Sequence, residues 1–242
     1  MASWDHLKRE LYDVVIENPS RESKYGEFLN KLVFEDDRRG KDPLWDLWYL
    51  SDNTEFCRRS MRHYSSEIVD QLAEYARLEQ SFQDNEPGES HFSFDKLRML
   101  IGSLFFYQFS ALESFAHEVN LFYGLGLKRG DVSLIRVRRE MARQRPGRKL
   151  AQHIKVMEAK DKYNLSRSYR NAAAHGHVFP IHGSSDSILV PVKPKHEPFS
   201  FDGDKVDLRE LVQGSTTLVD EYICLGWRCF EHDELSRHPG TK

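Results

Sequence analysis

Between residues 166 and 180 the chain reads SRSYRNAAAHGHVFP. Arg170 and Asn171 stand side by side, three alanines follow, and then come His175 and Gly176. On a helix Arg167, Asn171 and His175 fall at i, i+4 and i+8 and share one face, with Arg170 beside it. The alanines carry no chemistry but allow another surface to approach closely. Gly176 is the residue at which such a helix would end in a left-handed cap. That places His175 in the last turn, near the negative end of the helix dipole, which favours the imidazolium by roughly 0.3 to 1 kcal/mol. A histidine that titrates near neutrality suits general acid–base work. A guanidinium beside it clamps a phosphate and stabilises charge developing there. One histidine and one arginine make a thin site. Packing the helix against its twin across a two-fold axis would supply a second pair, and two-fold dimers are the commonest oligomers.

Helices must position these residues, and the apolar periodicity supplies them. Helices are expected over 4–17, 54–83, 92–123, 148–159, 163–175 and 207–233. The 92–123 segment has a broad stripe of Leu97, Leu100, Ile101, Leu104, Phe105, Phe109, Leu112 and Phe115, and it ends near GLGL. The stretch DPLWDLWYL reads as a separate short helix. After the motif, HVFPIHG and SDSILVPVK are two β-like runs around a Gly-Ser turn. The expected fold class is all-α: a helical bundle of four to five helices with a short β-hairpin between the motif helix and the last helix. The expected division is an N-terminal helical extension over 1–53, a helical domain over 54–234 and a disordered tail over 235–242.

The 242 residues suffice for one large domain with its own core, and 39% hydrophobic with 30% charged residues is an ordinary balance for a folded chain. No run approaches the ~20 apolar residues of a membrane span, so no membrane is expected as partner. The start MASWDHLKRELYDVV is charged and amphipathic, unlike a signal peptide. Cys57, Cys224 and Cys229 are an odd number without a CxxC pair, and a reducing cytoplasm is the expected location.

The charge is uneven. Residues 128–149 carry nine Lys or Arg against Asp131 and Glu140, a net +7, so with the whole chain at −3 the remainder carries −10. Arg136, Arg138, Arg139, Arg143, Arg145 and Arg148 are the candidates for meeting one anionic partner, which the resemblance given below implies to be RNA phosphates, with a steep salt dependence. Solvated arginines on an exposed helix and loop are the plain alternative. Aromatics that would stack bases are scarce in this stretch.

The string RNAAAH resembles the R-x(4–6)-H motif of HEPN domains, including the polar residue after the arginine. Helical order strengthens the likeness: the motif lies late in the chain, a long helix follows, and SALESFAHEVN at 110–120 is similar to a second-helix segment of that family. The likeness covers roughly residues 54–234. It implies a metal-independent endoribonuclease with no cofactor, working at a composite site in a homodimer joined through the motif helices. It also implies a toxin–antitoxin or antiphage defence role, with an antitoxin or other protein as a further partner. Carried over, Arg170 and His175 form the catalytic pair and Asn171 accompanies them. Glu113 and Arg167 are supporting residues, Glu113 being placed to orient Arg170 or His175. One histidine would deprotonate an RNA 2′-OH, Arg170 would stabilise the phosphorane-like transition state, and the second His175 would protonate the leaving 5′-oxygen.

Two other readings use the same residues. A non-catalytic helical module would hold a nucleotide or protein on the basic segment and the helix surface. His175, His177 and His182 form a loose cluster, but their spacing matches no strong zinc or other metal signature. His117, on an apolar helix, reads as a hydrogen-bonded core residue.

Overall fold

A computed structural model describes residues 43–83, 94–144, 149–159, 161–174, 181–183, 187–191 and 205–237. Among them are six α-helices: α1 (Pro43–Gln83), α2 (Phe94–Phe122), α3 (Leu134–Gln144), α4 (Lys149–Glu158), α5 (Asp161–Ala174) and α6 (Leu208–Arg237). A 3-10 turn at Arg129–Asp131 precedes α3. Three short strands, β1 (His182–Gly183), β2 (Ile188–Pro191) and β3 (Lys205–Asp207), form an antiparallel sheet in that order. The chain is therefore mostly helical, as its periodicity implies.

Four boundaries differ from the sequence reading. DPLWDLWYL does not form a separate helix; it is the start of α1, which runs for 41 residues. Pro43 opens that helix, where its fixed φ fits and its missing N–H costs nothing. The basic segment folds as α3, which brings the helix count above the expected four to five. Its buried Leu134, Val137 and Met141 fall at i, i+3 and i+7, a stripe diluted in sequence by the arginines between them. The hairpin gains a third strand: Leu189, Val190 and Pro191 pair with Asp207, Val206 and Lys205. Asp207 then caps α6, its Oδ1 accepting the Glu210 N–H at 3.0 Å. Lastly, α6 continues to Arg237, past the expected start of the tail at residue 235. The helix expected over 4–17 lies outside the described residues.

The end of α2 follows from two glycines. Gly124 and Gly126 have φ of +59° and +74°, which side chains with a Cβ adopt at a cost. Leu125 N–H bonds Asn120 O at 3.0 Å and Gly124 N–H bonds Leu121 O at 3.1 Å, closing a Schellman turn. The Asn120 amide then holds the next residues, accepting from Leu127 N at 3.0 Å and donating to Leu127 O at 3.1 Å.

The chain divides into two compact units. The first comprises residues 1–56, 111–159 and 220–242, and the second 57–110 and 160–219. In the first, Phe115 is fully buried between Tyr222, edge-on at 5.6 Å, and Phe230, stacked at 5.7 Å. Glu118 is also fully buried. Its carboxyl group is hydrogen-bonded to Thr54 Oγ1 and accepts from Trp227 Nε1 at 2.8 Å, so one buried polar group ties α1, α2 and α6. Such a group is tolerated in the interior only with its hydrogen bonds made.

In the second unit, Gln108 joins α2 to α6 through Ser215 Oγ at 2.9 Å and Thr216 Oγ1 at 3.3 Å. Ser215 passes its own proton to Val212 O at 3.2 Å, which leaves its oxygen as the acceptor.

Close packing in the first unit supplies a stability test. A Cβ on Gly226 would lie 2.1 Å from Phe115 Cζ, and that ring is boxed in. Alanine is ordinarily the better helix former by ~1 kcal/mol. Overpacking outweighs this, and Gly226→Ala should lower the urea unfolding free energy by about 2 kcal/mol. An unchanged midpoint would mean that the ring moves aside without cost.

Candidate functional site

The motif helix α5 is set by two buried residues, Ser166 and Tyr169, three apart on its inner face. Tyr169 stacks on Phe105 of α2 with centroids 5.0 Å apart and 22° between the planes. Burial pushes its phenol well above the ordinary tyrosine range, so it stays neutral and acts as an anchor.

The next residue, Arg170, is half-buried. Its guanidinium carbon lies 5.8 Å from the centre of the Phe109 ring, and Nη1 donates to Asn171 Oδ1 at 3.2 Å. Phe105 and Phe109 stand one turn apart on α2, so consecutive residues of α5 rest on consecutive rings of its neighbour. A cation over an aromatic face gains ~0.5 to 2 kcal/mol according to how far it is desolvated. The ring therefore lies beside the guanidinium, within the range of such an interaction. That suits a group meant to present a flat fork to an anion.

Arg167 is exposed on α5, one turn before Asn171. Ser168 is turned back onto its own helix, donating to Asn164 O at 3.0 Å. The helix ends at Ala174. His175, Arg145 and Arg148 lie outside the described residues, as does His177.

No family model, curated protein or solved structure matches this chain. The site is therefore read from its own residues.

Glu113 belongs to the first unit, whereas Arg170 belongs to the second. It is exposed, and its charge acts on His117 one turn further along α2. His117 is half-buried. Burial lowers its pKa first and the Arg129 guanidinium second, with Glu113 pulling the other way. Among the described residues no group of three His, Cys, Asp or Glu is placed to hold a metal ion.

Four arginines of the basic segment, Arg136, Arg138, Arg139 and Arg143, lie on α3, and Arg129 lies in the 3-10 turn before it, all in the first unit. Arg136, Arg139 and Arg143 are exposed and Arg138 is half-buried. Arg136 forms an ion pair with Asp131. Arg143 Nε donates to both Glu140 oxygens, at 3.1 and 3.2 Å. Glu140 also accepts from Gln144, and Arg143 followed by Gln144 holds its carboxyl below the ordinary range. Both acidic residues of the segment are thus spent on their own arginines. Solvent screens exposed pairs of this kind and leaves them contributing little, so a phosphate can displace them cheaply.

Sequence reasoning passed over the residues that orient the site. Phe105 and Phe109 read simply as part of an apolar stripe. The usable signal was four aromatic residues within LFFYQF on one helix, more than a core face needs.

Proposed function

We propose that this protein is a metal-independent endoribonuclease of HEPN type that cleaves RNA by attack of the 2′-OH on the adjacent phosphate. The observation that carries this reading is the setting of Arg170. It is half-buried, with its guanidinium carbon 5.8 Å from the Phe109 ring centre, bonded to Asn171, and five residues ahead of His175 on a helix that Tyr169 anchors. The motif resemblance assigns chemistry to that pair, and the geometry suits it: a guanidinium fixed by a ring costs little reorganisation when charge develops on phosphate.

In this scheme a neutral His175 takes the proton from the 2′-OH. The oxygen attacks phosphorus, and the Arg170 guanidinium stabilises the negative charge on the oxygens of the pentacoordinate transition state. A protonated His175 from a second copy donates to the departing 5′-oxygen. The two histidines end with their protonation states exchanged. Pairing of α5 helices in a homodimer brings the two sets together, and the run Ala172–Ala174 keeps that contact low. The exposed arginines of α3 contribute attraction for the RNA backbone without base selection. A toxin–antitoxin or antiphage role follows from the same family likeness, with an acidic protein as the natural inhibitor of a basic surface.

The test is cleavage of a mixed single-stranded and structured RNA in EDTA, beside the same sequence with 2′-deoxy nucleotides. RNA should be cut to 2′,3′-cyclic phosphate and 5′-OH ends, and the deoxy strand should survive. Products with 3′-OH ends, or equal cutting of both strands, would exclude 2′-OH attack. A folded dimer that cuts neither would instead be a binding module.

A further inference from the structure

The second unit contains a continuous line of rings that no catalytic step uses. His63 of α1 lies 5.4 Å from Tyr64. Tyr64 stacks on Tyr107 of α2 at 5.5 Å with 15° between planes. Tyr107 meets Phe106 edge-on at 5.3 Å and 83°. The two inner rings are half-buried in the seam between the helices, while His63 and Phe106 at the ends are exposed, Phe106 by 58%. Arg59 and Arg62 are exposed on the same face of α1 as His63, at i, i+3 and i+4. From Cys57 to Ser66 the chain holds three arginines and no acidic residue.

We infer that this strip is a stacking platform for unpaired bases of single-stranded RNA, with Arg59 and Arg62 on the flanking phosphates. The inference rests on the ribonuclease reading for its choice of ligand and names the substrate class of that enzyme. Flat rings with guanidinium groups beside them match a polyanion whose bases are free to stack, and stacking of this kind tolerates any base. Phe109, which carries Arg170, lies one turn beyond Phe106 on the same helix, so a strand on the platform is delivered towards the motif helix. Duplex RNA, whose bases already stack on one another, has little to gain there.

The measurement is fluorescence anisotropy with a labelled 2′-O-methyl single strand, which has no nucleophilic 2′-OH and cannot be cut. The proteins are wild type, Phe106→Ala, His63→Ala and the double variant Arg59→Ala/Arg62→Ala, each checked for an unchanged melting temperature. Either ring substitution should weaken single-strand binding about tenfold, with duplex binding unmoved. The arginine pair should reduce the slope of log affinity against log salt by about 1.4, at ~0.7 per phosphate contact. Absence of binding by wild type, or ring variants that bind as well as wild type, would overturn the platform. So would Phe106→Ala breaking an oligomer in sedimentation while leaving RNA affinity intact, because the strip would then be a protein interface. The two proposals fail separately. Ring-dependent binding without cleavage of ordinary RNA sinks only the nuclease, and cleavage with ring-indifferent binding sinks only the platform.

Discussion

Arg170→Ala should lower the rate of RNA cleavage by about 10³-fold, the scale seen when a preorganised donor to a transition-state oxyanion is removed. The loss should fall mainly on kcat, because the guanidinium is asked to bind charge that exists only in the transition state. Arg170→Lys is the sharper comparison. It keeps the positive charge but loses the planar fork, the contact with Phe109 and the geometry of the Asn171 contact. It should recover only a small part of the rate. His175→Ala should be as damaging as Arg170→Ala, and the two together little worse than either, as expected of residues acting as one unit. Full activity in Arg170→Ala would remove the motif helix from the chemistry. The half-buried position of the side chain makes unfolding a possible confusion, so each variant is compared by circular dichroism and melting temperature.

Mild acid should destabilise the first unit through His153. This residue is 1% exposed on α4, stacked on the Tyr222 ring at 4.7 Å, with Nε2 3.2 Å from the Tyr222 carbonyl. Burial pulls its pKa down to about 4, and the bond to the Tyr222 carbonyl opposes the shift only in part. Unfolded, the imidazole titrates near the ordinary value of about 6.5. Between those two values the unfolded chain binds a proton that the folded chain refuses. Stability therefore rises with pH across this window. The contribution is fully present above about pH 6.5 and is lost as pH falls towards 4, to a total of about 3 kcal/mol. Urea unfolding of wild type at about pH 7 and about pH 5 should differ by about 2 kcal/mol from this group. His153→Leu abolishes the titration, so its pH difference should be smaller than that of wild type by the same amount. Equal pH differences in the two proteins would mean that His153 is protonated without cost inside the fold.

Both predictions depend on neighbours that lie far away in sequence, and this separates what could be read early from what could not. Helices α2 and α6 were legible because their buried residues recur every three or four positions, and that period is a local property of the backbone. The end of α2 was legible from its glycines, which a left-handed turn needs. The motif helix and its candidate residues were legible as residue types at a helical spacing. The same local reasoning missed α3, where the arginines masked the three-residue buried stripe. It also missed β3, which contains one apolar residue and exists because β2 pairs with it.

The sequence by itself determined the helical class, the placement of a basic segment, and the presence of Arg170 and His175 in a spacing suited to phosphate chemistry. Only the tertiary structure decided that Phe109 lies beside the Arg170 guanidinium, that arginines of α3 pair with Glu140 of the same helix and with Asp131 of the preceding turn, and that Tyr64 and Tyr107 stack to complete a strip of rings. Periodicity, capping and charge runs act over a few residues and leave their mark on the chain. Stacking between Tyr64 and Tyr107, or contact between Arg170 and Phe109, joins residues that only packing brings within 6 Å, and no local pattern records it.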